Sequence, residues 1–275
     1  MNWIVENLTN AFATWNTKMA EIWSLLALHP QDFKGGAVWG VMLNINGGLK
    51  AIGYALIVLF TAIAIFGGTM NVRELRRPET ALRYFIRFIA TKTAVGYCMD
   101  LMLLLFEICG GVASQVALQM SAATAATVSL PQDIINDIES VGFFESIPLW
   151  IVSLLGSLLI TVLSFVLIMT VYGRFFRLFM YTAIAPIPIS CFGGETTAGH
   201  GKQFIRNYMA VCLEGAVVML ALIIFSAMAS GDPITTASTP VMKVWAYLAE
   251  VVFNMLICVG LVKASDRLAK ELFGI

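Results

Sequence analysis

Two carboxylates stand inside a long apolar run of this sequence. Asp100 and Glu107 are seven residues apart in "YCMDLMLLLFEICGG". On a helix this spacing places both side chains on one face, about 10 Å apart along the axis. Such a face avoids lipid, so we expect it to line a bundle interior or a water-filled space. The chemistry open to it is polar contact between helices or the passage of protons.

Further polar residues fall in the same run and in the last two apolar runs. We name the whole set the polar seam: Asp100, Glu107, Ser114, Glu214, Glu250 and Asn254. One interpretation is that the seam lines a conduit or holds subunits together. The local alternative is that each carboxylate bonds a neighbouring hydroxyl, amide or arginine within one subunit. A proton relay is a third interpretation, although the sequence indicates no intramembrane cation as a partner for it.

Enzymatic chemistry finds no support in the sequence. "GGETTAGHGKQ" lacks the spacing of a phosphate loop, because Gln203 follows Lys202, and no strand precedes it. The five cysteines are scattered without a CxxC pair, and His29 and His200 are far apart. We therefore predict no enzyme activity, no metal site and no cofactor.

The composition indicates which elements position these residues. The chain is 59% hydrophobic and 12% charged, and a soluble domain carries about 25% charged residues. We predict an all-α membrane protein with about five transmembrane helices, each near the ~20 residues that a bilayer requires. The predicted spans are 50–70, 93–118, 148–172, 208–229 and 244–262.

Two further helices are predicted outside the spans. Apolar residues recur every three or four places from Ile4 to Leu26, which predicts an amphipathic N-terminal helix. This helix either lies on the membrane surface, with its tryptophans at the interface, or docks onto a partner helix. A short surface helix is predicted after Ser129, which together with Gln132 fits a capping pattern.

One segment is apolar but interrupted: "RFFRLFMYTAIAPIPISCFGGETTAGHGKQFIR", residues 174–206. Pro186 and Pro188 remove backbone donors in its centre. Irregular backbone at membrane depth persists only where protein or water satisfies it. We therefore expect residues 178–194 to lie at the interface or to re-enter rather than cross, with Gly193 and Gly194 permitting a sharp exit turn.

The distribution of cations predicts the orientation, because cationic loops stay cytoplasmic. With five crossings, residues 71–92, residues 174–206 and the tail share one side, which holds 13 of the 17 lysines and arginines. The prediction is an external N-terminus and an internal C-terminus. We interpret the arginines of the two loops as a basic anchor on the cytoplasmic side, with binding of anionic lipid or of a cytoplasmic partner as the alternative. These are Arg73, Arg76, Arg77, Arg83, Arg87, Arg174 and Arg177.

This layout divides the chain into three parts. Residues 1–46 form an extracytoplasmic amphipathic segment, 47–265 the transmembrane domain and 266–275 a short cytoplasmic tail. Glycine pairs recur along the chain, and we expect most of them to permit close helix packing within the subunit and some to serve contacts between subunits. The pairs are Gly47–Gly48, Gly67–Gly68, Gly110–Gly111 and Gly193–Gly194.

Residues 170–228, which run from "TVYGRFFRLF" to "ALIIFSAM", resemble the TrbL-type polytopic membrane subunit of conjugative type IV secretion systems. The likeness is greatest to versions carried by mobile elements of Gram-positive bacteria, and the pattern of segments extends it to about residues 45–265. The short loop at 119–147 and the brief tail depart from larger members of that family.

The resemblance implies a channel or scaffold component that helps DNA–protein substrates across the cytoplasmic membrane. It implies several partners: the lipid bilayer, secretion ATPases and other membrane subunits, further copies in a homo-oligomeric ring, and transient contact with the transferred substrate. A secondary transporter or ion channel with a site at the broken helix is the alternative function. That class favours inverted halves with matching broken helices, whereas the sequence shows one broken segment.

Overall fold

The computed structural model describes residues 2–66, 78–119, 128–229 and 239–275. Within these ranges every regular element is helical, which confirms the predicted all-α class. Two 3-10 turns, Pro30–Gly36 and Cys191–Gly193, accompany the α-helices. The α-helices are α1 Asn2–Ala27, α2 Ala37–Phe66, α3 Pro78–Gly96, α4 Cys98–Gln119, α5 Gln132–Ser140, α6 Phe143–Ile184, α7 Pro186–Ser190, α8 Ala198–Ala229 and α9 Pro240–Leu272.

Five helical stretches in the described residues are long and apolar enough to cross a membrane. This confirms the predicted number of spanning helices, whereas the orientation of the termini stays a prediction. The stretches are Pro30–Phe66, Cys98–Val116, Ile147–Ile184, Ala198–Met228 and Pro240–Leu272.

The helices extend well beyond the predicted apolar spans. Helix α2 begins at Ala37 instead of near residue 50, α8 begins at Ala198 instead of 208, and α9 runs on to Leu272. Hydropathy marks where side chains suit hydrocarbon, whereas a helix continues wherever its backbone bonds and packing allow. The glycine-rich stretch considered as a phosphate loop therefore lies partly inside α8.

The second predicted span, 93–118, is two helices in the structure. Helix α3 ends at Gly96, Tyr97 forms a turn, and α4 begins at Cys98. Only α4 supplies a candidate span, over Cys98–Val116. The polar residues between 78 and 96 thus belong to a separate helix, which is not among the candidate spans of the described residues.

The described chain forms two compact units, and four of the five boundaries between them fall within helices. The first comprises residues 1–27, 113–173 and 215–265, and the second 28–112, 174–214 and 266–275. The predicted division of the chain at residues 46 and 265 stays a prediction.

In the first unit, the apolar stripe of α1 is buried, including Ile4, Phe12 and Trp15. The Trp15 ring lies 5.6 Å from that of Phe225, and Asn16 exchanges side-chain hydrogen bonds of 2.9 and 3.1 Å with the backbone of Val128. The stripe therefore docks onto helices of the same chain, one of the two predicted interpretations.

The predicted short surface helix is present as α5, with Ile134 and Ile138 buried. Its cap differs from the prediction. Pro131 occupies the N-cap and makes no side-chain capping bond, because the helix starts two residues later than a cap at Ser129 would require.

The second unit has its own core, built from α2, α3, α4, α6, α7 and α8. Ile57, Met102, Ile189 and Tyr208 are fully buried in it, and the Tyr208 hydroxyl donates a 3.0 Å bond to the Met102 carbonyl oxygen. This core surrounds the proline-broken segment.

Candidate functional site

The segment between α6 and α8 is broken rather than one continuous rod. Helix α6 ends at Ile184, the five-residue helix α7 follows, and the 3-10 turn leads to Gly194, whose backbone is extended. The break thus starts at Ala185, seven residues after the predicted start. That the segment lies at the interface or re-enters the membrane stays a prediction.

The carbonyl of Thr182 needs a partner because Pro186, four residues later, has no N–H to donate. The side chain of Asn46 supplies one: its Nδ2 donates to the Thr182 oxygen at 2.8 Å. Asn46 is fully buried in α2, and its Oδ1 accepts from the thiol of Cys98 at 3.1 Å. Helix α2 thereby replaces a hydrogen bond that the proline removes from α6.

Asn46→Ala is expected to lower the free energy of unfolding by about 1 kcal/mol, the usual value of one hydrogen bond between membrane helices. Asn44→Ala is the matched control, because Asn44 lies on the same helix with an exposed side chain, and should leave stability unchanged. Detergent-induced unfolding of the purified protein measures both. Equal effects of the two substitutions would contradict the role of Asn46.

Glycines let α2 approach the broken segment closely. A Cβ on Gly53 would lie 2.9 Å from the Pro186 carbonyl oxygen, and one on Gly194 would lie 3.0 Å from the Phe60 carbonyl oxygen. Neither Gly193 nor Gly194 has a positive φ, so the predicted sharp turn does not itself require glycine. What requires glycine at 53 and 194 is the contact between backbones.

Further bonds fix the end of the segment. Arg87 of α3 donates from Nε to the Phe192 carbonyl oxygen at 2.8 Å, and the Thr197 hydroxyl donates to the Cys191 oxygen at 2.7 Å. Arg87 was predicted to be part of a basic anchor; the structure shows it bonded to the broken segment. Arg83 is exposed, whereas Arg73, Arg76 and Arg77 lie outside the described residues.

An ion network joins three helices of the second unit. Arg177 of α6 bonds Glu214 of α8 at 2.6 Å and also bonds Asp266 of α9. Lys270 bonds the other oxygen of Asp266 at 2.8 Å. Arg177 was predicted to lie after the third span, as part of the basic anchor, whereas α6 continues past residue 172 and carries Arg177 within the candidate span Ile147–Ile184.

Arg174 lies near this network and is 5% exposed. Its Nε and Nη1 are buried without a hydrogen-bond partner in the described structure, and its guanidinium lies 5.7 Å from the Phe175 ring centre. Buried guanidinium nitrogens without hydrogen-bond partners are destabilising. The burial of Arg174 is not what an anchor exposed on the cytoplasmic surface predicts.

The polar seam does not share one environment. Glu214 is buried, Glu250 and Asn254 are half-buried, and Ser114 is exposed. Asp100 and Glu107 are also exposed and make no hydrogen bond or ion pair with any residue that the structure describes. The local alternative, bonding within one subunit, therefore has no support for these two carboxylates.

The exposed face of α4 has a mixed character. Leu104 and Ile108, beside the two carboxylates, are 56% and 58% exposed. A Cβ on Gly110 or Gly111 would meet nothing within 4 Å, so this pair makes no close packing contact within the described part of the subunit. We define the α4 face as Asp100, Leu104, Glu107, Ile108 and Gly111.

Comparison with known proteins gives one family. The family model described as "TrbL/VirB6 plasmid conjugal transfer like protein" matches residues 15–186, more than half of the chain. The match ends at the first proline of the broken segment and overlaps the stretch 170–228 only at its start. No curated protein matches the chain.

Proposed function

The chain belongs to the TrbL/VirB6 plasmid conjugal transfer like family, and on that basis we propose that it forms or frames the channel of a conjugative transfer machine. It is a multi-pass membrane component of such a system. In our proposal it sits in the cytoplasmic membrane, assembles as a homo-oligomeric ring with secretion ATPases and other membrane subunits, and performs no catalysis itself. The substrates that it helps to cross are DNA–protein complexes.

The observation that carries this proposal is the α4 face. Asp100 and Glu107 lie on an outward-facing side of a candidate span. An ionisable side chain at membrane depth faces a water-filled cavity or a protein partner rather than lipid. In a single copy, this side of the spanning helix is therefore unsuited to contact with lipid. In a ring of copies, the two carboxylates would face either a neighbouring subunit or the water-filled lumen.

Charge restricts how such a ring would act on DNA. The phosphate backbone is densely negative, so carboxylates on the α4 face oppose tight binding of a strand. If the face lines the lumen, we expect a wide passage that repels its contents. If it lies between subunits, Gly110 and Gly111 provide the close helix approach that membrane interfaces use.

The test replaces both carboxylates, as Asp100→Leu/Glu107→Leu. We expect conjugative transfer to fall at least tenfold (about 1.4 kcal/mol in free-energy terms) and the oligomer in mild detergent to weaken or change in size. Measurements are transfer frequency between cells, membrane level by immunoblot and mass of the purified complex. The control Glu139→Leu removes an exposed carboxylate of α5 and should leave transfer unchanged.

A different set of measurements is expected if the proposal is incorrect. If the α4 face contacts lipid, leucine at both positions removes a cost of insertion. The membrane level would then rise, with transfer and complex mass unchanged. That outcome would overturn the proposed role of the face.

A further inference from the structure

Helix α3 exposes a large apolar surface although it is not a candidate span. Leu82, Phe85, Ile86 and Ile89 are 57%, 61%, 57% and 46% exposed. At 100° per residue these four side chains form a single stripe along the helix. Such a stripe must be covered by lipid or protein, because exposed apolar patches of this kind mark interaction sites.

Cations flank the stripe on both sides. Arg83 and Lys92 are exposed, and the helical rotation places them on opposite borders of the apolar stripe. Glu79 is the only acidic residue in α3. An apolar stripe bordered by cations is the pattern of a helix that lies in the interface of a membrane with anionic lipids.

A groove between α2 and α3 adds a place for an acyl chain. Its volume is about 270 Å³ and its lining is almost wholly apolar. The lining residues are Thr61, Ile65, Ala81, Tyr84, Phe85 and Phe88. Phe85 belongs both to this groove and to the exposed stripe, so the two surfaces are continuous.

We propose that α3 is an interfacial helix that binds anionic phospholipid of the leaflet, with an acyl chain in the α2–α3 groove and lipid phosphate groups at Arg83 on one border of the stripe and at Lys92 on the other. Charge complementarity selects this occupant, since juxtamembrane cations each contribute about 1 kcal/mol of attraction to an anionic leaflet. A soluble protein partner would satisfy the stripe but would not account for a cation on each border.

Helix α3 also contacts the broken segment, so lipid bound to α3 affects how firmly that segment is held. Arg87, on the inner side of α3, bonds the Phe192 oxygen, and Lys50 of α2 bonds the oxygen of Gly96 at the end of α3. Docking of α3 on an anionic leaflet therefore stabilises the contacts of α3 with the broken segment and with α2. This inference does not depend on the role in transfer.

The experiment uses the full chain in nanodiscs of phosphatidylcholine alone or mixed with phosphatidylglycerol. Amide hydrogen exchange across residues 78–96, read by mass spectrometry, reports the docking of α3. We expect exchange about 30-fold slower in the anionic discs, the ratio that corresponds to two cations at about 1 kcal/mol each. Arg83→Gln/Lys92→Gln should abolish the difference, and Leu82→Gln/Ile86→Gln should speed exchange in both discs.

The control removes two exposed cations from α9, as Lys263→Gln/Arg267→Gln, and should preserve the difference between discs. Unchanged exchange on adding anionic lipid to the unsubstituted protein would overturn the proposal and leave a protein partner or a second copy as the cover of α3. A difference that survives in Arg83→Gln/Lys92→Gln would overturn it as well, because the lipid effect would then act elsewhere.

Discussion

Arg177→Leu is expected to lower the free energy of unfolding by about 3–5 kcal/mol, the cost of stranding one member of a buried ion pair. Glu214 is 1% exposed and takes a 2.6 Å bond from Arg177. Without the guanidinium, its carboxylate stays buried with its main counter-ion gone, and Asp266 loses one of two cations. Unfolding in a denaturing detergent, followed by circular dichroism, measures the loss.

The double variant Arg177→Leu/Glu214→Leu separates charge from packing. Replacing both partners by apolar residues often restores stability, so we expect most of the loss to be recovered. Arg267→Leu is the control, since Arg267 is 85% exposed in its pair with Glu271 and exposed pairs contribute about 0–1 kcal/mol. A double variant no more stable than the single one would contradict the account.

Gly53→Ala is expected to destabilise the protein by about 2 kcal/mol through overpacking. The added Cβ would lie 2.9 Å from the Pro186 carbonyl oxygen and 3.1 Å from a methyl group of Val95. The first of these is backbone and cannot rotate away. We expect α2 to separate from the broken segment, which should also slow or abolish transfer.

The same substitution at Gly48, five residues earlier, should raise the free energy of unfolding instead of lowering it. A Cβ on Gly48 would meet nothing within 4 Å, so Gly48→Ala should stabilise α2 by about 0.5–1 kcal/mol through helix propensity alone. Unfolding of the two variants under identical conditions gives the comparison. If both alanines stabilise, the close contact at Gly53 is not present in solution.

Hydrophobic periodicity predicted much of the fold because it acts locally. The stripe from Ile4 to Leu26, the five apolar runs and the break at Pro186 each depend on neighbours within a few turns. The presence and type of these elements agree with the structure. Their ends do not, since α2 and α9 continue through residues that hydropathy assigns to loops.

The contacts that matter most in the second unit were not predictable in the same way. Asn46 and Thr182 are 136 residues apart, and Arg177 meets Glu214 only because α6 continues past its predicted end. A single amide shortly before an apolar run, and an X-Pro break that frees a carbonyl, were the available signals. Their pairing depends on tertiary packing, which periodicity does not encode.

The bond from Asn46 to the Thr182 carbonyl restricts how the chain can rearrange. If α6 and α2 separate at this point, the Thr182 carbonyl and the Asn46 amide both lose their hydrogen-bond partner. Hydrocarbon cannot replace either hydrogen bond. Movement of the proline-bearing region therefore has to coincide with hydration of that spot. Separation without water would leave two buried polar groups without hydrogen bonds, so the entry of water and the movement of the segment occur together.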